Sequence, residues 1–280
     1  MRNKLLATLL FVVVLPSSVS AQTDKNPYNF SQFWRETGQL FTEPLHWEAD
    51  DWLKLGIVAG ATGLSTLADQ STRTKVMGAA YIANPSTAAP ANSKYYHNPL
   101  IEGGRIYGEL YSPIVLFAGF AAFSLITGDK TTRKIGYELG QSALYAGGFV
   151  FLLKVLVGRS RPLTNEGPGH FRPSFSIVDD NFHSFPSGHS AVSMVISTVL
   201  ARNVDPLWAK ILCYVPAVAT MCSRIYQDQH WVSDVVAGGA IGFFFATWAC
   251  DHHDENEAAG KTKSAIQTTI FPPSITIALN

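Results

Sequence analysis

A chain of 280 residues with 21 Lys and Arg against 21 Asp and Glu carries no net formal charge, and 47% of it is hydrophobic. That balance excludes the broad basic surface of a nucleic-acid binder, so any anion must be held by a local cluster of residues. The length suits one substantial domain with one active site.

At the N-terminus Arg2 and Lys4 precede the apolar run Leu5 to Leu15, and Pro16 and the small residues Val19-Ser20-Ala21 follow. This order predicts a signal peptide over 1–21 cleaved after Ala21, the alternative being an uncleaved anchor. Either delivers the following chain across a membrane. Residues 22–54 are polar and aromatic, with Trp34, Trp47 and Trp52 among charges, and read as a lead-in lying on a protein or membrane surface.

Six Gly/Ala-rich apolar stretches follow: Leu55 to Ala68, Ser112 to Gly128, Ala143 to Gly158, Ser190 to Ala201, Ile211 to Cys222 and Val235 to Cys250. Their length and lack of alternation predict an all-α bundle of about six apolar helices over 55–250, membrane-embedded or, alternatively, soluble. Lys130, Arg133 and Lys134 in one linker and Arg202 and Lys210 in another read as cytoplasmic. Five crossings then place the loop Arg159 to Pro186 outside, provided the first stretch, with Thr62, Ser65 and Thr66, does not span. Cys213, Cys222 and Cys250 read as small buried hydrophobes. Residues 251–280 form a C-terminal tail without assigned function, in which His252 and His253 are read as solvated.

Three clusters near helix ends carry the chemistry. Lys154 closes an apolar helix, where its ammonium needs water or an anion, and Arg161-Pro162 follows with a guanidinium fork suited to phosphate oxygens. Pro186-Ser187-Gly188-His189 precedes an apolar helix, so Ser187 can cap it while Gly188 lets the first amides approach an anion. Arg224 leads to His230 and Asp234, whose spacing on a helix sets carboxylate and imidazole on one face. Three cations, two histidines and one carboxylate suit a tetrahedral dianion. No His-Glu-x-x-His helix or zinc spacing is present, so neither metal nor cofactor is expected.

The three clusters together, matched in order and at full spacing between Ala143 and Cys250, resemble the type 2 phosphatidic acid phosphatase family, which includes bacterial acid phosphatases and vanadium haloperoxidases. The resemblance implies that Lys154, Arg161 and Arg224, with Ser187 and the Gly188 amide, bind the phosphoryl oxygens. It implies His230 as nucleophile, Asp234 as its orienting partner, and His189 as the acid that protonates the leaving oxygen and then activates water. The expected function is metal-independent hydrolysis of phosphomonoesters or diphosphates, chiefly of membrane lipids, through a phosphohistidine. The expected place is a bacterial inner membrane, with the site facing the periplasm and a lipid phosphate as partner. The alternatives are a soluble periplasmic acid phosphatase, a vanadate-dependent haloperoxidase and a non-catalytic lipid-phosphate binder. His170, Arg172, Asp179, Asp180 and His183, between the first two clusters, read as loop residues without a chemical role, the alternative being that they shape substrate entry.

Overall fold

A computed structural model describes residues 28–86, 88–92, 98–173 and 179–270, with side chains as far as 258; the predicted signal peptide over 1–21 lies outside this range. The described residues fall into two compact units that divide between Ala49 and Asp50. In the first, α1 (Phe30–Thr42) starts at Asn29, whose side chain accepts the Gln32 N–H at 2.9 Å. Phe30 and Phe33 both pack edge-on against Trp34, at 5.8 and 5.7 Å between ring centroids.

The second unit contains α2 (Ala49–Ser65), α3 (Asp69–Met77), α4 (Ala79–Ala83), α5 (Pro99–Tyr107), α6 (Tyr111–Thr127), α7 (Lys130–Val157), α8 (Gly188–Arg202), α9 (Leu207–Tyr226) and α10 (Val232–Ile270). Every predicted apolar stretch lies within one of these helices or its 3-10 or capping extension. Capping sets their ends. Asp129 accepts the Thr132 N–H at 2.7 Å to open α7, and Gly158, at φ +58°, closes it. A Cβ at Gly158 would also meet the Arg172 carbonyl at 1.7 Å, so the turn that aims Arg159 and Arg161 requires glycine.

Helix α8 is the centre of the bundle, with α7, α9 and α10 packed around it, α6 against α7 and α5 against α9. Its small residues Ser190, Ala191, Ser193 and Ser197 are almost fully buried. They permit close approach: Cβ atoms at Gly238 and Gly242 of α10 would fall 2.2 Å from the Ser187 carbonyl oxygen and 2.1 Å from that of Ala191. Two backbones therefore touch along one turn of α10, and they touch at the start of α8.

Helices α7 and α10 are long and apolar enough to cross a membrane, and α5 with α6, bent by 65°, passes the same test as one broken span. Large apolar side chains such as Phe117, Leu125, Leu144, Phe151, Leu212 and Phe243 face outward. This is a membrane-embedded helical bundle, in which two helices, or three with the bent pair, are both long and apolar enough to cross among the described residues, where the sequence predicts five crossings. Helix α8 is one of those that falls short, its 15 residues being largely enclosed by protein.

Three expectations change. No helix end marks the predicted tail at 251, because α10 continues to Ile270. His253 is not solvated: it is 1% exposed, with Nδ1 at 3.4 Å from Glu138 Oε1, and His252 stacks on Trp248. Asp251 and Asp254 pin that turn to Arg202 and Lys134, which draws the histidine inward. Of the cysteines only Cys250 is buried; Cys222 is exposed and Cys213 half-buried.

Gly242→Ala is expected to cost about 1–3 kcal/mol of stability by forcing α8 and α10 apart. Gly148→Ala, on α7 with open space where its Cβ would go, is expected to be neutral or to gain about 0.5–1 kcal/mol. Thermal unfolding of the two variants in detergent separates these outcomes.

Candidate functional site

Because α7, α8, α9 and α10 alternate in direction, the C-terminal ends of α7 and α9 meet the N-terminal ends of α8 and α10. Lys154 comes from the last turn of α7, Ser187, Gly188 and His189 from the start of α8, and Arg224 from the last turn of α9. Asp234 lies in the first turn of α10. All three clusters are thus brought to one end of the bundle.

His230 is 3% exposed and stands in the loop ahead of α10, not on the helix with Asp234 as its spacing suggests. Its Nδ1 lies 3.7 Å from Asp234 Oδ2 but 2.8 Å from the Ser184 carbonyl oxygen. A carbonyl only accepts, so Nδ1 holds the proton and Nε2 keeps its lone pair. Burial, followed by the positive charges of Lys154, Arg161 and Arg224 and by His189, pushes the His230 imidazole well below its usual pKa. The ring is therefore neutral at pH 7.

Asp234 is fully buried and acts on His230 at one remove. Its Oδ2 accepts the Ser184 hydroxyl at 2.5 Å and the Trp231 N–H at 2.9 Å, and its Oδ1 accepts Arg159 Nη1 at 2.6 Å. Its main-chain carbonyl accepts the Ser187 N–H at 2.9 Å, which joins the start of α10 to the start of α8. Ser187 caps α8 as predicted, its Oγ accepting from the Ser190 N–H at 3.4 Å and the Ser190 hydroxyl at 2.9 Å. At Gly188 an added Cβ would sit 3.9 Å from Lys154 Cε, so the lysine stem runs beside the helix start.

The cations differ in how they are held. Lys154 Nζ donates to the His183 carbonyl. Arg161 donates from Nη2 to Asp180 Oδ1 at 2.6 Å and from Nη1 to Gln229 Oε1 at 3.0 Å. Burial pushes the Asp180 carboxyl up, but the charge and hydrogen bond of Arg161 together with the charges of Lys154 and His183 outweigh it and hold the group below the ordinary carboxylate range. Arg224 is only 6% exposed, and among the described residues its Nε and Nη1 have no hydrogen-bond partner. His183 Nε2 is likewise buried without one among the described residues, and His189 Nε2 lies 3.5 Å from Glu109 Oε1. A buried guanidinium with unused donors is costly unless an anion completes it.

Other residues enter the site that its motifs do not contain. Arg159, 3% exposed, reaches Asp234, Ser233, Asp69 and the Pro168 carbonyl. Arg73 forms a bidentate pair with Asp228 at 2.8 and 3.0 Å, and the Arg73 and Arg159 guanidiniums both lie against the Trp231 ring, at 5.8 and 5.7 Å. The i, i+4 spacing of Asp69 and Arg73 and the doubled arginine around Ser160 are the only sequence traces of these contacts. His170 serves structure, its Nδ1 lying 2.7 Å from Ser160 Oγ and 2.8 Å from Glu166 Oε2.

Arg224→Met is expected to stabilise the ligand-free protein by about 1–3 kcal/mol, since it removes buried unpaired donors beside like charges. The unaltered protein is expected to show a thermal shift with orthovanadate, and the same change should abolish it. A pH series tests His230: the unfolded imidazole takes up a proton below about pH 6.5 while the folded one does not, so stability falls as pH drops through that value. In His230→Gln that fall should be shallower by as much as about 1.4 kcal/mol per pH unit, read from melting temperatures at pH 5 to 8.

The profile of the PAP2 superfamily matches residues 137–257, the segment that runs from before Lys154 to beyond Asp234. A lipid A 1-phosphatase of Rhizobium johnstonii is 30% identical over 225 residues, which cover 76% of this chain and 83% of that protein. An undecaprenyl-diphosphatase of Sulfolobus acidocaldarius is 32% identical over 115 residues, 40% of this chain, and the match spans about half of that relative, 52%. Among solved structures, a transmembrane PAP2-type phosphatidylglycerolphosphate phosphatase from Bacillus subtilis aligns with 73% of this chain and 94% of its own, at a TM-score of 0.44 and 22% identity. With 30% identity extending over most of both chains and the matched segment holding all three clusters, this chain belongs to the PAP2 superfamily.

Proposed function

We propose that this chain is a phosphatase of membrane-lipid phosphomonoesters or diphosphates that works through a phosphohistidine on His230 and without a metal. The observation that carries the reading is the neutral His230, with its Nε2 lone pair unprotonated, beside the buried and unpartnered donors of Arg224. Lys154, Arg161 and Arg224, with the Ser187 hydroxyl and the Gly188 amide, hold the three phosphoryl oxygens. The positive end of α8 adds to their charge. Nε2 attacks phosphorus as the bond to the leaving oxygen breaks; burial and the Arg224 charge push the His189 imidazole down to about 4, so His189 takes up a proton only as the phosphate anion binds beside it, and it passes that proton to the leaving oxygen. His189 then takes a proton from water, whose oxygen attacks phosphorus; the P–N bond breaks, and inorganic phosphate leaves.

The charge of the cradle comes from side-chain cations, which repel a divalent metal and do its electrostatic work. A lipid substrate is supported by the flank of α7 beside Lys154, where Phe151, Leu152 and Leu156 are exposed and offer acyl chains an apolar surface. The same outward apolar surfaces disfavour the soluble alternative. Lys130, Arg133, Lys134, Arg202 and Lys210 lie at the other end of the bundle, which supports a bacterial inner-membrane protein with the site on the periplasmic side.

The test is phosphate release by purified protein in detergent with chelator present, across lipid phosphates, lipid diphosphates and a soluble aryl phosphate. Turnover should favour the lipids, and His230→Ala and His189→Ala should each lose it by at least about a hundredfold. Strong inhibition by chelator that added metal reverses would sink the metal-free mechanism, and equal turnover of the soluble ester would argue for a broad-specificity enzyme instead.

A further inference from the structure

The bond that fixes the His230 tautomer comes from a main-chain carbonyl, so the nucleophile is only as well placed as the Ser184 peptide. Arg159 holds that residue twice. Its own carbonyl accepts the Ser184 N–H at 3.0 Å, and its guanidinium bonds Asp234, which accepts the Ser184 hydroxyl. Behind it, Asp69 accepts Arg159 Nη2 at 2.8 Å, the Ser233 hydroxyl at 2.7 Å and the Ser233 N–H at 2.9 Å. Asp69, Arg159 and Asp234 are each at least nine-tenths buried, and both carboxylates converge on the one guanidinium. Asp69 lies on α3, well outside the segment that the superfamily profile matches.

We propose that Arg159, held by Asp69, is a positioning residue for His230: it acts through Asp234 and Ser184 to orient the imidazole and to neutralise the carboxylate behind it. The assignment rests on the phosphohistidine reading. Its second half gives a distinctive consequence. The groups facing His230 are Lys154 from α7, His189 from α8, Arg224 from α9, Arg161 from the loop after α7 and Asp234 from α10. From α3 and the loop before α10, Asp69, Arg73 and Asp228 border it on the remaining side, Arg73 and Asp228 paired with each other. Weakening the Arg159 bond leaves Asp234 less compensated at 3.7 Å from Nδ1. That favours the imidazolium, raises the His230 pKa and removes the nucleophile at higher pH.

The experiment compares Arg159→Lys and Asp69→Asn with the unaltered protein in pH-rate profiles of phosphate release, alongside melting temperatures. Expected is a kcat loss of roughly tenfold to a hundredfold in Arg159→Lys and a smaller one in Asp69→Asn, with KM within about twofold because the phosphate cradle is untouched. The acid limb should move to higher pH in both. Unchanged kcat overturns the inference, as does a loss with the acid limb unmoved or the failure of both variants to fold, each of which leaves Arg159 a merely structural tie. If one variant alone fails to fold, the other decides by the same criteria. No turnover by the unaltered protein overturns the phosphatase reading itself, and with it this assignment.

Discussion

A buried cation whose donors are left unpaired, held at one end of an apolar bundle, is the constraint around which this protein is built. Lys154, Arg161 and Arg224 all act on the buried His230, and Arg224 keeps two guanidinium nitrogens unpaired at 6% exposure. In a medium of low dielectric such an arrangement opposes folding, and only an anion relieves it. Each cation is delivered from a different element, Lys154 from the last turn of α7, Arg161 from the loop after it and Arg224 from the last turn of α9.

The opposite end of the bundle shows what a balanced arrangement looks like. There Lys134 pairs with Asp254 and approaches Glu138, while Arg202 reaches Asp251 and Asp254. Asn203 donates to the buried Glu138 at 2.9 Å, and His253 packs against the same carboxylate. Acid and base are matched on α7, α8 and α10, so this end ties the helices together. The site end leaves its cations partly unmatched, and this asymmetry is a physical signature of a binding site.

Much of this was legible in the sequence because the informative residues sit within a few positions of helix boundaries. Gly158, Ser187 and the apolar runs predicted those boundaries, and the cations and histidines came with them. What was not legible depended on distance through space. The spacing of His230 and Asp234 suggests a shared helical face, yet α10 begins after His230, and the bond passes to a main-chain carbonyl that no side-chain pattern can announce. Arg159 and Arg161 are two residues apart, and nothing local tells which turns toward Asp69 and Asp234 and which toward Asp180. His253 looked solvated among acids because Glu138 is 115 positions away in the chain and meets it only in the folded bundle.

Close backbone contact between α8 and α10 joins these observations. The Ser187 peptide donates to the Asp234 carbonyl at 2.9 Å, and its own carbonyl lies where a Cβ at Gly238 would be. The cradle at the start of α8 and the carboxylate behind His230 are therefore not placed independently. A shift of α10 along α8 would move Asp234, and through Ser184 His230, relative to the amides that face the phosphate. Glycine at 238 and 242 thus serves the geometry of the site as much as the packing of the bundle, because in-line attack is sensitive to displacements well below the width of a side chain.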